Sequence, residues 1–173
     1  SRQEASTDGL TGLPNRRTLE AQIGELYERD TPFVMVLADL DRFKLLNDNF
    51  GHEVGDKALQ LFAGVLRDNV RGNDVVARLG GAEFVLAYPN MSVEISLEAI
   101  DRVRAALARA LDASTVPSFT CSFGIAHSTV AHDGDAVRSS TVKGSRTHLN
   151  LVSDPRTTGA VRPGAKPCSY NEG

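Results

Sequence analysis

Two aspartates lie at the end of an apolar run that ends at Ala38: Asp39 follows it directly, and Asp41 comes two residues later. Carboxylates at the end of a buried strand can hold Mg²⁺, while phosphate oxygens of a ligand fill the remaining coordination positions. The same aspartates can instead cap a short turn over residues 43–47, because Asp is among the best capping residues. The spacing alone leaves both interpretations open.

A pair of glycines, Gly80 and Gly81, separates two short segments of strand-forming residues, 75–78 and 84–88. Glycine adopts positive φ without steric cost, so the pair predicts a tight hairpin turn. A hairpin tip without side chains also lets a bulky polyanion approach the backbone. Both interpretations fit the glycines. The candidate metal-binding aspartates earlier in the chain are what make the approach of a polyanion worth considering.

The spacing of apolar side chains predicts the elements that position these residues. Residues 33–38 are almost continuously apolar, which predicts a central strand buried on both faces. Periodicity predicts helices after Asn15 to about 29, from 54 to 69 and from 93 to 111, and alternation predicts a strand over 119–125. This order favours an α+β fold with a ferredoxin-like β-α-β-β-α-β core, in which helices back an antiparallel sheet. In that arrangement Asp39 lies near the glycine tip.

Several polar residues are expected to have structural roles. Asn15 is a candidate N-cap of the first helix, and Asp56 lies in the first turns of the second, where its charge suits the helix dipole and where it can also bind a ligand. His52 has no His or Cys partner nearby and is expected to be a structural loop residue. Cys121 is expected to be a buried, unreactive thiol. The third helix is expected to expose its arginines to solvent: Arg102, Arg104 and Arg109.

Composition excludes several classes of protein. The chain has 173 residues, of which 41% are hydrophobic and 24% charged, as in an ordinary globular domain. A net charge of −3 argues against nucleic-acid binding by bulk electrostatics, and no apolar run approaches the ~20 residues of a membrane span. Cys121 and Cys168 lack metal-binding spacing, so we expect a reduced, cytoplasmic setting. Because the chain starts at Ser1 without Met, we expect it to be cut from a longer protein.

The last part of the chain differs in composition from the rest. Residues 138–173 are rich in Ser, Thr, Gly, Pro and Arg, and their apolar residues follow no period. Such a segment buries too little apolar surface to offset the entropy lost on ordering. We therefore expect one domain over residues 1–137, followed by a poorly ordered tail over 138–173.

Taken together, the polar and glycine-rich blocks resemble the GGDEF family of diguanylate cyclases over roughly residues 5–135. Several blocks in the right order and spacing are far more specific than any one of them. The resemblance implies the nucleotide-cyclase palm as the form of the α+β fold. The matching blocks are Asp8-Gly9-Leu10-Thr11-Gly12-Leu13-Pro14-Asn15-Arg16-Arg17, Asp39-Leu40-Asp41-Arg42-Phe43-Lys44, Asn47-Asp48, Phe50-Gly51-His52, Gly55-Asp56, Arg78-Leu79-Gly80-Gly81-Ala82-Glu83-Phe84 and Ser122-Phe123-Gly124-Ile125-Ala126.

This resemblance implies an enzyme that joins two GTP molecules into cyclic di-GMP and releases two pyrophosphates, with Mg²⁺ or Mn²⁺ as cofactor. Each domain would bind one GTP, so catalysis would need a homodimer, which an N-terminal sensory domain usually brings together in this family. Asp39 and the carbonyl of Leu40 would hold the metal, and Lys44 would contact the triphosphate. Asn47 and Asp56 would recognise the guanine edge. The remaining implied site residues are Phe43, Gly80 and Gly81 for substrate and Arg78 and Glu83 for catalysis.

A second site is implied by Arg71 and Asp74, which match the Arg-x-x-Asp of the family's inhibitory product site. Arg71 would contact guanine or phosphate of cyclic di-GMP, and Asp74 would contact guanine. The alternative is an ordinary turn with a solvated arginine.

Two departures from the family pattern argue against full activity. Ala82 stands where active members have a metal-binding Asp or Glu, and a methyl group cannot coordinate Mg²⁺. Residues 138–173 also lack the family's C-terminal helix with its Lys and Arg. We expect a diguanylate-cyclase-type domain with weak or absent turnover. The alternatives are a non-catalytic module that binds GTP or cyclic di-GMP, and an interaction domain without ligands.

Overall fold

The computed structural model describes residues 5–128. The predicted tail over 138–173 lies outside the described residues. Helices and strands follow one another as α1 (Arg16–Glu28), β1 (Phe33–Leu40), α2 (Phe43–Phe50), α3 (His52–Asp68), β2 (Val75–Gly80), β3 (Glu83–Pro89), α4 (Val93–Asp112) and β4 (Cys121–His127). In the described part of the chain, no helix combines the length and apolar character needed to cross a membrane.

The four strands form one antiparallel sheet in the order β2-β3-β1-β4. Strand β1 therefore lies in the interior of the sheet, between β3 and β4, as its apolar sequence predicts. The predicted β-α-β-β-α-β core is confirmed, with the helices packed on the sheet. The register pairs Asp39 of β1 with Glu83 of β3 and with Ser122 of β4.

A hydrophobic cluster lies on each face of the sheet. The larger cluster joins the sheet to α3 and α4, and the smaller one joins it to α1. Successive residues of β1 alternate between them, so that Val34 and Val36 enter the larger cluster, whereas Phe33 and Met35 enter the smaller one. Because both faces are covered, a strand without polar alternation is stable only at this central position.

Helix α2 differs from its prediction. Residues 43–47 were expected to form a short turn, but α2 continues to Phe50. Its first turn follows Arg42, which has a left-handed backbone (φ 54°) and makes no side-chain capping bond. The interpretation of Asp39 and Asp41 as caps of this segment is therefore wrong. By contrast, Asn15 caps α1 as predicted, accepting a hydrogen bond from the backbone N–H of Thr18 at 3.0 Å.

Arg104 also differs from its prediction. Its side chain is only 17% exposed, and its guanidinium carbon lies 5.6 Å from the centroid of the Phe123 ring on β4. A cation over an aromatic face is favourable, and α4 packs close enough to β4 to allow it. The helical periodicity of α4 does not reveal that Phe123 of β4 packs against Arg104. Arg102 and Arg109 are exposed, as expected. Cys121 is buried, and burial raises the pKa of its thiol well above the ordinary value.

Candidate functional site

An acidic group lies where β1 and β3 end side by side. Asp39 faces Glu83 in the strand register, and Asp41 follows two residues later. Burial, together with the nearby charges of Glu83 and Asp41, raises the pKa of the Asp39 carboxyl to about 6. Carboxylates that disfavour each other's ionisation in this way bind a cation favourably, since a cation offsets the repulsion.

The carboxylate of Asp41 is held by the neighbouring strand. It accepts hydrogen bonds from the hydroxyls of Thr120 at 2.7 Å and Ser122 at 2.5 Å. The backbone N–H of Asp41 also donates to the carbonyl of Thr120 at 2.9 Å. These bonds draw Asp41 toward β4 and leave Asp39 and Glu83 as the facing pair at this edge. In the sequence, the alternation of Thr120 and Ser122 with apolar residues is visible, but it does not show that both hydroxyls bond to Asp41.

The acidic edge offers few protein ligands for a metal ion. Within residues 5–128, no group of three or more His, Cys, Asp or Glu side chains could hold a metal ion. The Ala82 carbonyl accepts a hydrogen bond from the Leu40 N–H at 3.1 Å, which places residue 82 beside Asp39. The Ala82 methyl is half-buried and packs against the larger hydrophobic cluster. Oxygen atoms of Asp39, Leu40 and Glu83 suit Mg²⁺ in kind, but position 82 contributes no carboxylate.

The tip of the β2–β3 hairpin is open. Gly80 and Gly81 both have positive φ, at 143° and 51°, and both are exposed. Among the described residues, a Cβ built at either glycine would meet no atom within 4 Å. Arg78 donates from Nε and Nη2 to the Gly81 carbonyl, which holds the tip in place. The hairpin thus presents a bare, fixed backbone next to the acidic pair.

Helices α2 and α3 form a second wall at the same edge, because α2 begins three residues after the end of β1. Lys44 is exposed in the first turn of α2, and Phe43 packs partly against the core. Asn47 is half-buried, and Asp56 is exposed near the start of α3. The predicted phosphate and guanine residues therefore lie on two helices that pack together directly after the strand that carries Asp39.

Arg71 and Asp74 lie in the turn before β2, at the opposite end of that strand from the glycine tip. The Asp74 carboxylate accepts a hydrogen bond from the Arg71 backbone N–H at 3.0 Å, and the Arg71 side chain is exposed. These contacts are those of an ordinary turn with a solvated arginine, the alternative to a product site. A cleft of about 360 Å³ adjoins the turn and is lined partly by α1, with Gln22, Arg29, Asn73, Asp74 and Asn90 among its residues.

Tyr88 and Arg102 belong to the same region, and neither was predicted as a functional residue. Burial and the charge of Asp74 raise the pKa of the Tyr88 phenol to about 12, although the charge of Arg102 lowers it in part. The charges of Arg102 and Asp74 therefore both act on Tyr88. The sequence does not reveal these influences on Tyr88, because Asp74 precedes β2 and Arg102 lies on α4.

The antiparallel sheet with flanking helices, and the acidic pair beside a glycine hairpin, place the protein in the class of nucleotide-cyclase palm domains. The family model described as "Diguanylate cyclase, GGDEF domain" matches residues 5–141, and the chain belongs to this family. It is 41% identical over 142 residues to the diguanylate cyclase DgcP of Pseudomonas aeruginosa, which covers 79% of this chain and 21% of that protein. The chain thus spans about a fifth of the length of this curated relative.

Solved structures show the same fold. The GGDEF domain of DgcB from Caulobacter crescentus, in complex with c-di-GMP, superposes with a TM-score of 0.64 at 27% identity and covers 73% of this chain and 80% of that one. The diguanylate cyclase SiaD of Pseudomonas aeruginosa, in complex with its activator SiaC, gives a TM-score of 0.66 at 27% identity and covers 89% of this chain and 57% of that one.

Proposed function

We propose that the chain binds GTP at the edge formed by β1, the β2–β3 hairpin and the α2–α3 pair, in the manner of a diguanylate cyclase with severely reduced turnover. The principal observation is the pairing of Asp39 with Glu83 beside the exposed glycine tip. A triphosphate needs a bare backbone to approach and a cation to neutralise it, and this edge offers room for both.

Each residue at the edge has a role that its chemistry suits. Lys44, exposed on α2, provides a positive charge for the triphosphate. Asn47 and Asp56 provide amide and carboxylate groups for the guanine edge, which adenine would leave poorly paired. Glu83 assists the metal or the attacking hydroxyl. The ring of Phe43 supports the start of α2 beneath the nucleotide.

The reaction would couple two copies of the domain. The 3′-hydroxyl of each GTP attacks the α-phosphorus of the other, so that two phosphodiester bonds form and two pyrophosphates leave. Bound Mg²⁺ or Mn²⁺ would supply neutralisation of phosphate charge. The protein residues bind and orient the two nucleotides, and two domains must face each other for both attacks to occur.

Besides the missing C-terminal Lys and Arg of the family pattern, Ala82 is the reason to expect weak turnover. Its carbonyl accepts a hydrogen bond from the Leu40 N–H, next to Asp39 in the chain, and a carboxylate at position 82 would add a ligand and a negative charge at this edge. We expect Ala82→Asp to raise cyclic di-GMP formation from GTP and Mg²⁺ by about 100-fold, the order seen when one transition-state contact is restored. Chromatography of the products measures this rate.

Ala82→Asn is the matched control, because it has nearly the shape of Asp without the charge. We expect it to remain at the level of the parent chain. A parent chain that turns over GTP as fast as Ala82→Asp contradicts the proposed impairment. Calorimetry that detects no GTP binding to any of the three proteins contradicts the proposed site.

A second function, cyclic di-GMP binding without turnover, is supported by the turn at 71–74. Arg71 is exposed, Asp74 lines a cleft, and the charges of both Asp74 and Arg102 influence Tyr88. A planar guanidinium group suits both guanine and phosphate. We expect calorimetry to detect cyclic di-GMP binding that Arg71→Ala abolishes and that Arg109→Ala, at an exposed position later on α4, preserves. Equal affinities of the two variants contradict this second site.

A further inference from the structure

Gly55 leaves a gap on helix α3 that side chains of α2 fill. A Cβ atom built at Gly55 would overlap Oδ1 of Asn47 and would lie 2.9 Å from its Cγ atom. The same Cβ would lie 3.3 Å from Cζ of Phe43. Real Cβ atoms essentially never have neighbours closer than 3.0 Å, so any side chain at position 55 forces Asn47 to move. Glycine is needed here for space, since the helical backbone of Gly55 is open to any residue.

Packing, rather than hydrogen bonding, holds the oxygen of Asn47 in this gap. Oδ1 is buried and accepts no hydrogen bond from the residues that the structure describes. An unsatisfied buried oxygen is unfavourable, so the side chain would turn away if the gap did not receive it so closely. With Oδ1 in the gap, Nδ2 is the end of the amide left to face the site. An N–H donor there suits a ring nitrogen of a purine base.

We propose that Gly55 is a positioning residue for nucleotide recognition, because its missing side chain fixes the orientation of the Asn47 amide. This inference rests on the GTP site proposed above. Gly55 also directly precedes Asp56, the other residue expected to contact the base. Gly55 itself contacts no ligand in this proposal and acts through Asn47.

The test compares Gly55→Ala with Gly64→Ala. Gly64 lies on the same helix, and a Cβ built there would meet no atom within 4 Å among the described residues. Alanine favours a helix more than glycine does, so neither variant weakens the backbone of α3. The side-chain amide signals of Asn47 in a ¹⁵N–¹H spectrum, assigned by their loss in Asn47→Ala, report its orientation. We expect Gly55→Ala to shift these signals and Gly64→Ala to leave them unchanged. Unchanged signals in Gly55→Ala overturn the proposal.

Binding measurements separate a positioning role from a general structural one. With Mg²⁺ present, we expect Gly55→Ala to weaken GTP binding about tenfold, the factor for losing a well-directed hydrogen bond to the ligand. Gly64→Ala should bind as the parent does. The double variant Gly55→Ala/Asn47→Ala removes the clashing atoms and should bind like Asn47→Ala alone.

Additive losses in the double variant overturn the positioning role. If the parent chain does not bind GTP, the proposed function fails, whereas the Asn47 amide signals still decide whether Gly55 positions that side chain.

Discussion

Arg78 donates hydrogen bonds from Nη1 to both carboxylate oxygens of Asp8, each at 3.1 Å, although the two residues are 70 positions apart. The same guanidinium group donates to the Gly81 carbonyl at 3.1 and 2.8 Å. Asp8 in turn accepts from the backbone and the hydroxyl of Thr11. The N-terminal loop and the hairpin tip are therefore joined through one arginine, which favours a positioning role for Arg78 at the proposed site.

Loss of this pair should destabilise the fold. Burial opposes ionisation of Asp8, but the hydrogen bonds from Thr11 and Arg78 outweigh it and lower its pKa. Asp8→Ala leaves the Arg78 side chain, which is 12% exposed, without its carboxylate. We expect the free energy of unfolding to fall by about 1–3 kcal/mol at neutral pH, measured by urea denaturation.

The control for Asp8→Ala is Glu20→Ala, which removes the exposed ion pair between Arg16 and Glu20. An exposed pair contributes little, so we expect a change below about 0.5 kcal/mol. Similar losses in both variants would contradict a special role for the Asp8–Arg78 pair.

The raised pKa of Asp39 predicts a pH-dependent stability. Because the folded pKa is about 6 and the ordinary value is 3.8, the folded state binds the proton more tightly than the unfolded state. The resulting stabilisation is complete below pH 3.8 and is lost as the pH rises through 6. Asp39→Asn should therefore be more stable than the parent chain above pH 6, without metal. A difference in melting temperature that stays constant from pH 4 to pH 7 would contradict this.

Ala82→Asp should make stability depend on the metal. Without a divalent cation, a third carboxylate beside Asp39 and Glu83 adds repulsion, and we expect the melting temperature to fall below that of the parent chain. Added Mg²⁺ should raise it more in this variant than in the parent, because binding to the folded state stabilises it. Ala82→Asn should show neither effect. A Mg²⁺ response equal in all three proteins would argue against a metal site at this edge.

The hydroxyls of β4 should stabilise the fold through Asp41. Ser122→Ala removes a short, charge-assisted hydrogen bond to this half-buried carboxylate. We expect the free energy of unfolding to fall by about 1–2 kcal/mol, measured by denaturation. Ser118→Ala, at an exposed position before β4, should change it by less than about 0.5 kcal/mol. Equal stability of Ser122→Ala and Ser118→Ala would contradict a stabilising role for the Ser122–Asp41 hydrogen bond.

Patterns within single elements were predicted well from the sequence. The apolar run of β1 indicated a strand covered on both faces, and the fold has it between β3 and β4. The glycine pair indicated a hairpin, and Asn15 indicated the start of α1. The prediction for Arg104 was wrong because its burial depends on the ring of Phe123 in a different element. Capping of the next segment was one of two interpretations left open for Asp41, and Asp41 instead bonds to hydroxyls 79 and 81 positions away.

By itself, the sequence determined which side chains have chemistry suited to a phosphate, a cation or a purine base, since that chemistry belongs to residue types and to short local spacings. It also determined the family and the missing carboxylate at Ala82. The tertiary structure alone decided which groups face each other: Asp39 and Glu83 across two strands, Arg78 and Asp8 across the chain, and Asn47 in the gap at Gly55. The physical reason is that such contacts depend on strand register and helix packing, which bring together residues that no local pattern connects.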